Sequence, residues 1–96
     1  ECLASARTIY RKLKHLHQTE WELCRISDNG IWRIAVIVPS CNTIYVWYDY
    51  CNQMRAISLD NEDDFMTYQN CDFKLFIKMM KEILKRKIFN LNYEIF

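Results

Sequence analysis

Two histidines and five cysteines are the side chains of this 96-residue chain best suited to chemistry, and their spacing predicts no reactive site. His15 and His17 lie two residues apart in a helical repeat, so their imidazoles would point in different directions and would not easily bind one ion. No cysteine belongs to a Cys-x-x-Cys pair or lies close to a histidine. The cysteines are odd in number and scattered, at Cys2, Cys24, Cys41, Cys51 and Cys71. We therefore expect a reduced, intracellular protein with structural cysteines, no metal, no cofactor and no catalytic residue.

Charged residues are concentrated in two places. Residues 60–64 are an acidic run that lacks the pattern of a calcium loop, and we expect a solvated loop. Four lysines at helical spacing form a basic stripe, which is either a solvated helix face or a surface that attracts an acidic or phosphorylated tail. These are Lys74, Lys78, Lys81 and Lys85. A net charge of +1 favours neither a nucleic acid nor a membrane as partner.

The elements that must position these side chains begin with a helix over residues 2–17. Its apolar residues alternate at spacings of four and three, which is the seam of a heptad repeat. The seam consists of Cys2, Ala6, Ile9, Leu13 and Leu16. Because the seam is already in phase at the first residue, residues 1–17 are interpreted as the helix that leaves an upstream coiled coil and enters a globular head.

Residues 20–27 and 31–38 are predicted to form a hairpin. Asn29-Gly30 between them is the residue pair that tolerates the positive φ angles of a type I′ turn. That turn would place Trp21 opposite Val38, Leu23 opposite Val36 and Arg25 opposite Ile34. The predicted core face is then Trp21, Leu23, Trp32, Ile34, Val36 and Val38. The other face would carry Glu22 and Arg33, with Cys24, Ala35 and Ile37 half-covered.

Residues 43–50 are predicted to be a third strand with bulky residues on both faces. Such a strand is either covered twice or offers one aromatic face, here Tyr45 and Trp47, to a partner. Residues 54–59 could add a fourth strand, and residues 65–68 are expected to re-enter the core. The predicted sheet is an antiparallel meander of three to four strands.

A long helix is predicted after Asn70 or Asp72, either of which could cap it. Its apolar stripe packs on the sheet and consists of Phe73, Phe76, Ile77, Met80, Leu84 and Ile88. Residues 91–96 alternate apolar and polar residues and are expected to form a short strand or a flap on the sheet. The sequence therefore predicts one α+β domain over residues 1–96, with a helix, a meander and a long C-terminal helix on one face.

This order of elements resembles the RWD family, distant relatives of ubiquitin-conjugating enzymes. Residues 7–38 (RTIYRKLKHLHQTEWELCRISDNGIWRIAVIV) and 64–90 (DFMTYQNCDFKLFIKMMKEILKRKIFN) look like the kinetochore branch of that family. The similarity is to the small head subunits of the outer-kinetochore microtubule-binding complex and to the C-terminal domain of the outer-kinetochore scaffold protein. The Tyr-Pro turn of ordinary RWD domains is missing, because Pro39 is the only proline and no tyrosine precedes it.

The resemblance implies a non-enzymatic interaction domain of the nucleus and kinetochore that acts in kinetochore assembly and chromosome segregation during mitosis. Its partners would be other kinetochore subunits, with a paralogous RWD domain as a further partner through the coiled coil. A short helix, strand or tail would dock in a hydrophobic cleft between the sheet and the last helix. The residues expected to bind it are Tyr45, Trp47, Lys74, Lys78, Lys81 and Lys85. Two alternatives stay open: a ubiquitin-conjugating-like domain, active or inactive, and a small viral or orphan α+β domain. No His-Pro-Asn precedes a cysteine, which argues against conjugating activity.

Overall fold

The computed structural model describes the backbone of residues 2–14 and 21–95, and the side chains of residues 7–14 and 21–85. Two helices pack on one face of a five-stranded antiparallel sheet whose strands are ordered along the sheet as they are along the chain. This confirms the predicted α+β fold, with more strands than predicted. The elements are α1 (Cys2–Lys14), β1 (Glu22–Asp28), β2 (Ile31–Val38), β3 (Thr43–Tyr48), β4 (Gln53–Ser58), β5 (Phe65–Tyr68) and α2 (Phe73–Ile95).

The β1–β2 hairpin forms as predicted. Asn29 and Gly30 have φ angles of 51° and 80°, the positive values that a type I′ turn needs at both central positions. The register pairs Leu23 with Val36 and Arg25 with Ile34, which confirms the predicted pairing. A two-residue turn leaves no freedom to slide the strands, so this local pair fixes which face of each strand meets the helices.

Asparagine supplies the other left-handed turn positions of the described chain. Asn42, Asn52 and Asn70 have φ angles of 53°, 49° and 53°, and they lie before β3, before β4 and after β5. Asparagine tolerates this conformation better than other non-glycine residues. The chain has one glycine, so asparagine takes over the role that glycine plays in most meanders.

The main core lies between one face of the sheet and the two helices. The heptad positions Ile9 and Leu13 are fully buried in it, so these two members of the predicted seam pack inside the domain. The side chains of Cys2, Ala6 and Leu16 lie outside the described residues, and the upstream coiled coil stays a prediction. The strands and α2 contribute Ile34, Val36, Val38, Tyr45, Met54, Phe76, Ile77, Met80 and Leu84.

Helix α2 begins where the sequence predicted and ends later. The Asp72 Oδ1 atom accepts a hydrogen bond of 2.8 Å from the Leu75 N–H, which identifies Asp72, rather than Asn70, as the N-cap. The predicted strand or flap over residues 91–96 is wrong, because the helix continues to Ile95. The apolar–polar alternation of the tail is also compatible with one face of a helix, and only the continued backbone distinguishes the two.

Three further expectations are corrected. Trp32 was assigned to the core but is 53% exposed, because it lies at the turn end of β2 beside Arg25. Tyr50 was placed in the third strand but follows its end and is 72% exposed. Residues 65–68 do not re-enter the core: β5 pairs only with β4, and all four of its residues are exposed. The predicted strand over residues 54–59 is confirmed as β4.

Replacing Gly30 by valine should lower the free energy of unfolding by more than ~1 kcal/mol, because a β-branched residue resists a positive φ. A Cβ atom at this position meets no atom within 4 Å, so the cost comes from the backbone alone. Gly30→Asn is the matched control and should cost less, since asparagine tolerates the same φ. Urea denaturation of the three proteins measures the difference, and a valine variant as stable as the wild type would contradict the turn assignment.

Candidate functional site

A continuous groove runs between β5 and α2 on the helix side of the sheet. One hollow of about 540 Å³ lies over β3, β4 and β5, and a second of about 370 Å³ lies between β5 and α2. Tyr68 and Ile83 line both hollows, so the two form one surface, which we call the β5–α2 groove. Its floor on the sheet includes Tyr45 and Ala56.

The groove exists because β5 extends beyond the part of the sheet that α2 covers. Met66 and Tyr68 lie opposite Ala56 and Met54, on the face that carries the main core. Two strands further in, this face is buried under the helix, but at β5 it is open: Met66 is 63% exposed and Tyr68 is 37% exposed. The edge strand therefore presents core-type side chains to solvent.

Helix α2 lines the groove with a second apolar row beside its core stripe. Leu75, Met79 and Ile83 are four residues apart and all line the hollow next to β5. Residues at this spacing lie one above the other on a helix. This row was not predicted, although its four-residue spacing is visible in the sequence, because the apolar stripe that begins at Phe73 is the stronger helical pattern.

The two predicted aromatic residues have different places. Tyr45 is 9% exposed and lies at the floor of the groove. Trp47 is a core residue: its indole N–H donates a hydrogen bond of 3.0 Å to the Cys71 carbonyl oxygen, and its ring lies 5.2 Å from that of Phe73. It does not line the groove, so any effect of Trp47 on a partner would act through the packing of α2.

The lysines of the predicted stripe are not all at the groove. Lys78 lines it together with Glu82. Residues of an α-helix are rotated by about 100° from one to the next, which places all four lysines within about 60° on one flank of the solvent side of α2, with Lys78 nearest the groove. Lys81 is half-buried there, while Lys74 and Lys85 are exposed.

Acidic residues lie at the opposite end of the groove from Lys78. Asp64 lines the hollow over the sheet and closes the loop between β4 and β5, which also carries Asp60, Glu62 and Asp63. All of them are exposed, as predicted for a solvated loop. The Asp60 carboxylate accepts a hydrogen bond of 2.6 Å from the Asn42 side chain, which ties this loop to the turn before β3. The groove therefore has an acidic end, and at its other end Lys78 lies beside Glu82.

The other face of the sheet has no helix over it among the described residues, and its own long side chains cover it. Arg33 was expected on a polar face but is only 6% exposed, and its guanidinium forms a 2.8 Å ion pair with Asp49. The guanidinium carbon lies 4.8 Å from the centre of the Tyr50 ring. Arg55 covers the neighbouring strand in the same way, 5.0 Å from the ring of Tyr48. Such cation–π contacts let a charged side chain shield apolar strand residues such as Val46.

Cys24 and Cys71 are placed as structural cysteines would be, whereas Cys41 is exposed. Cys71 is fully buried, and burial raises its pKa, with the charge of Asp72 adding to the effect. Burial and then the charge of Glu22 raise the pKa of Cys24. A higher pKa means less thiolate and a weaker nucleophile. The described residues contain no group of three potential metal ligands, and His15 and His17 lie outside them.

Comparisons of this chain with protein-family models, with curated proteins and with solved structures found no match. The resemblance to the RWD family therefore remains a prediction from the residues. Within the described ranges, no helix combines the length and apolar character needed to cross a membrane.

The buried thiols predict that stability falls in mild alkali. Cys24 and Cys71 ionise at higher pH in the folded chain than their ordinary value of 9.0, so the unfolded chain loses these protons first. Their contribution to the free energy of unfolding is fully present below pH 9.0. It is lost as the pH rises from there toward the pKa of these thiols in the folded chain. Urea denaturation between about pH 8 and 10 should therefore show a smaller decline for the Cys24→Ala/Cys71→Ala variant than for the wild type. Cys41→Ala, which removes an exposed thiol, is the control; equal slopes in all three proteins would contradict the assignment.

Proposed function

We propose that this chain is a non-enzymatic protein–protein interaction domain that docks a short segment of a partner protein in the β5–α2 groove. The observation that carries the proposal is the group of large apolar side chains exposed around the groove. Met66, Tyr68 and Leu75 are 63%, 37% and 39% exposed, and they flank one surface. Exposed apolar groups gathered around a concave surface are typical of binding sites, whereas single ones are common everywhere.

The size of the apolar surface suits a short segment. Fully burying a leucine or methionine contributes ~1.5–3 kcal/mol, so covering these half-exposed side chains would contribute roughly 1 kcal/mol each. The half-buried Met79 and Ile83 extend the same surface toward the middle of the groove. A few such anchors, surrounded by contacts that exclude water, dominate the affinity of most interfaces.

The resemblance to kinetochore RWD domains supports a more specific proposal. The helix–meander–helix order and the segments 7–38 and 64–90 support a domain that helps assemble the kinetochore in the nucleus and so acts in chromosome segregation. Its partner would be another kinetochore subunit, and a paralogous RWD domain would pair with it through an upstream coiled coil. In such domains the space between the sheet and the last helix is where a partner is expected, which is the position of the β5–α2 groove.

The charges at the groove refine the expectation of an acidic partner. Lys78 is the lysine of the predicted stripe that a docked segment would touch, while Lys74, Lys81 and Lys85 would act only by attraction over a distance. Salt screens such attraction over about 10 Å at 0.1 M ionic strength. We therefore assign the direct contact to Lys78 and only a contribution to the association rate to the others.

The proposal is tested by the cellular location of the complete protein, tagged and expressed in dividing cells of its source organism. The wild type should accumulate at kinetochores, and Met66→Asp/Leu75→Asp should lose that accumulation because it places charges on the apolar rim. Leu59→Asp, which alters an exposed leucine that does not line the groove, is the matched control and should behave as the wild type. A wild-type protein that is absent from kinetochores would contradict the kinetochore assignment. Equal accumulation of all three proteins would contradict the assignment of the groove as the docking site.

A second prediction separates contact from attraction among the lysines. Lys78→Glu should reduce the recovery of the proteins that crosslink to the domain through the groove, whereas Lys74→Glu should leave it nearly unchanged at physiological salt. Both lysines are exposed, and surface charges contribute only ~0–1 kcal/mol to stability, so both variants should melt like the wild type. Quantitative mass spectrometry of crosslinked neighbours measures the recovery. Identical losses of recovery for the two variants would show that the lysines act together through their summed charge and that Lys78 makes no special contact.

A further inference from the structure

The outer edge of β5 offers unpaired backbone groups beside the β5–α2 groove. The Ser58 N–H donates a 2.9 Å hydrogen bond to the Asp64 carbonyl, which marks this pair as a hydrogen-bonded pair of the β4–β5 ladder. Such pairs alternate in antiparallel strands, so Met66 and Tyr68 also direct their backbone groups toward β4. Phe65 and Thr67 then direct theirs outward, where no strand of the described chain pairs with β5.

The two edges of the sheet are protected to different degrees. Natural edge strands commonly carry charged residues or proline, which oppose pairing with another chain. β1, at one edge, contains Glu22, Arg25 and Asp28. β5, at the other edge, has the sequence Phe-Met-Thr-Tyr, with no charge and no proline, and every residue is exposed. The unprotected edge is the one that borders the apolar groove.

An added strand would place its side chains where the groove is open. Neighbouring strands lie about 4.8 Å apart, so a strand beside β5 would lie along its outer side and border the groove. Every second side chain of that strand would point into the groove. There it would meet Leu75 and Met79, which line the hollow between β5 and α2.

The charges along the groove indicate what the added strand carries at its ends. Asp64 stands at the start of β5 next to the acidic loop, and Lys78 lines the hollow that contains Tyr68, at the end of β5. Asp64 and Tyr68 are four positions apart, which is about 13 Å along a strand. A segment with a basic residue at the end beside Asp64 would match the acidic loop, while the other end offers both signs of charge, from Lys78 and Glu82.

A second copy of this chain matches the charges along the groove poorly. Antiparallel pairing of two β5 strands would place the acidic loop of one copy beside residues 69–72 of the other. These residues are Gln69, Asn70, Cys71 and Asp72, which carry no positive charge, and the nearby Lys78 shares its hollow with Glu82. Parallel pairing would bring the two acidic loops together, where like charges repel.

We propose that the partner segment binds in extended form, as a sixth strand added to β5. Its alternate side chains are apolar and enter the groove, and a lysine or arginine at one end meets the acidic loop. This inference rests on the proposed docking function and specifies the partner's conformation and chemistry. Backbone hydrogen bonds to Phe65 and Thr67 hold the strand, while Leu75 and Met79 select its side chains.

The test uses a phage-displayed library of random dodecapeptides selected on the immobilised domain. Enriched peptides should alternate apolar residues and carry a basic residue at one end. Fluorescence polarisation then measures their affinity for the wild type and for Thr67→Pro, which removes an outward N–H without touching the β4 ladder. Affinity should fall about ten-fold or more, since a strand loses a backbone hydrogen bond and its neighbour is sterically displaced. Thr67→Val, which keeps the N–H, is the matched control and should bind like the wild type.

Two measurements keep the result interpretable if Thr67→Pro unfolds. Peptides with N-methyl groups on alternate amides leave the domain unchanged, and one of the two methylation patterns should abolish binding. Amide hydrogen exchange of the wild type should slow at Phe65 and Thr67 when the peptide is added, while Met66 and Tyr68 are already protected. Equal affinity of both methylated peptides, or no slowing at Phe65 and Thr67, would overturn the proposed strand.

The variants also distinguish this inference from the proposed function. Loss of binding with Leu75→Glu but not with Thr67→Pro would mean that the groove takes a helix, so that docking stands and strand addition fails. Full binding to both variants would mean that both fail. Failure to enrich any peptide overturns strand addition by short segments. Self-association of the wild type that Thr67→Pro abolishes, measured by sedimentation, would assign the edge to a second copy instead.

Discussion

The difference in width between two helices and a five-stranded sheet is the constraint on which the rest of this structure depends. Strands spaced about 4.8 Å apart make a sheet of five roughly 24 Å wide, while two helices side by side cover roughly 20 Å. Helix α1 contacts β1, β2 and α2, while α2 packs on Trp47 of β3 through Phe73 and Phe76, and every residue of the outermost strand β5 is exposed. β5 is thus left with core-type side chains and no cover, and the groove follows from this geometry.

The opposite face of the sheet meets the same need for cover in a different way. A sheet face without a helix must either be polar or be shielded by its own side chains. Here Ala35 and Val46 are fully buried beneath arginine and tyrosine side chains. Arg33 keeps one ion pair and otherwise rests on aromatic rings, which offsets part of the cost of burying a guanidinium. This face is covered by long side chains, whereas the helix side of the sheet is uncovered at β5. The groove is therefore the better place for a partner.

The proposed function joins these physical features to the resemblance with kinetochore RWD domains. The resemblance supplies the biological setting, and the groove supplies a surface that could serve in it. The two are independent, because an exposed apolar edge beside Leu75 and Met79 favours a covering partner in any cellular setting. The arrangement of charge is also independent of the family, since Asp64 and Lys78 lie at opposite ends of the same surface.

The sequence by itself determined the parts of this protein that depend on neighbouring residues. The Asn29-Gly30 turn sets the first hairpin, Asn70 or Asp72 predicts the start of α2, and the stripe that includes Phe76 and Met80 predicts which side of that helix is buried. These features are local, because a turn, a cap and a helical period involve residues within a few positions of one another. The α+β class follows largely from them.

Only the tertiary structure decided which apolar faces are buried and which are exposed. β3 is bulky on both sides, so its sequence does not say that Trp47 enters the core while Tyr48 lies under Arg33 and Arg55 on the other face. The sequence of residues 65–68 likewise does not predict an edge strand, since the same residues would suit a core position. Burial at these positions depends on strands and helices distant in sequence. The physical reason is that cover over a sheet is a property of the whole assembly, which no local pattern encodes.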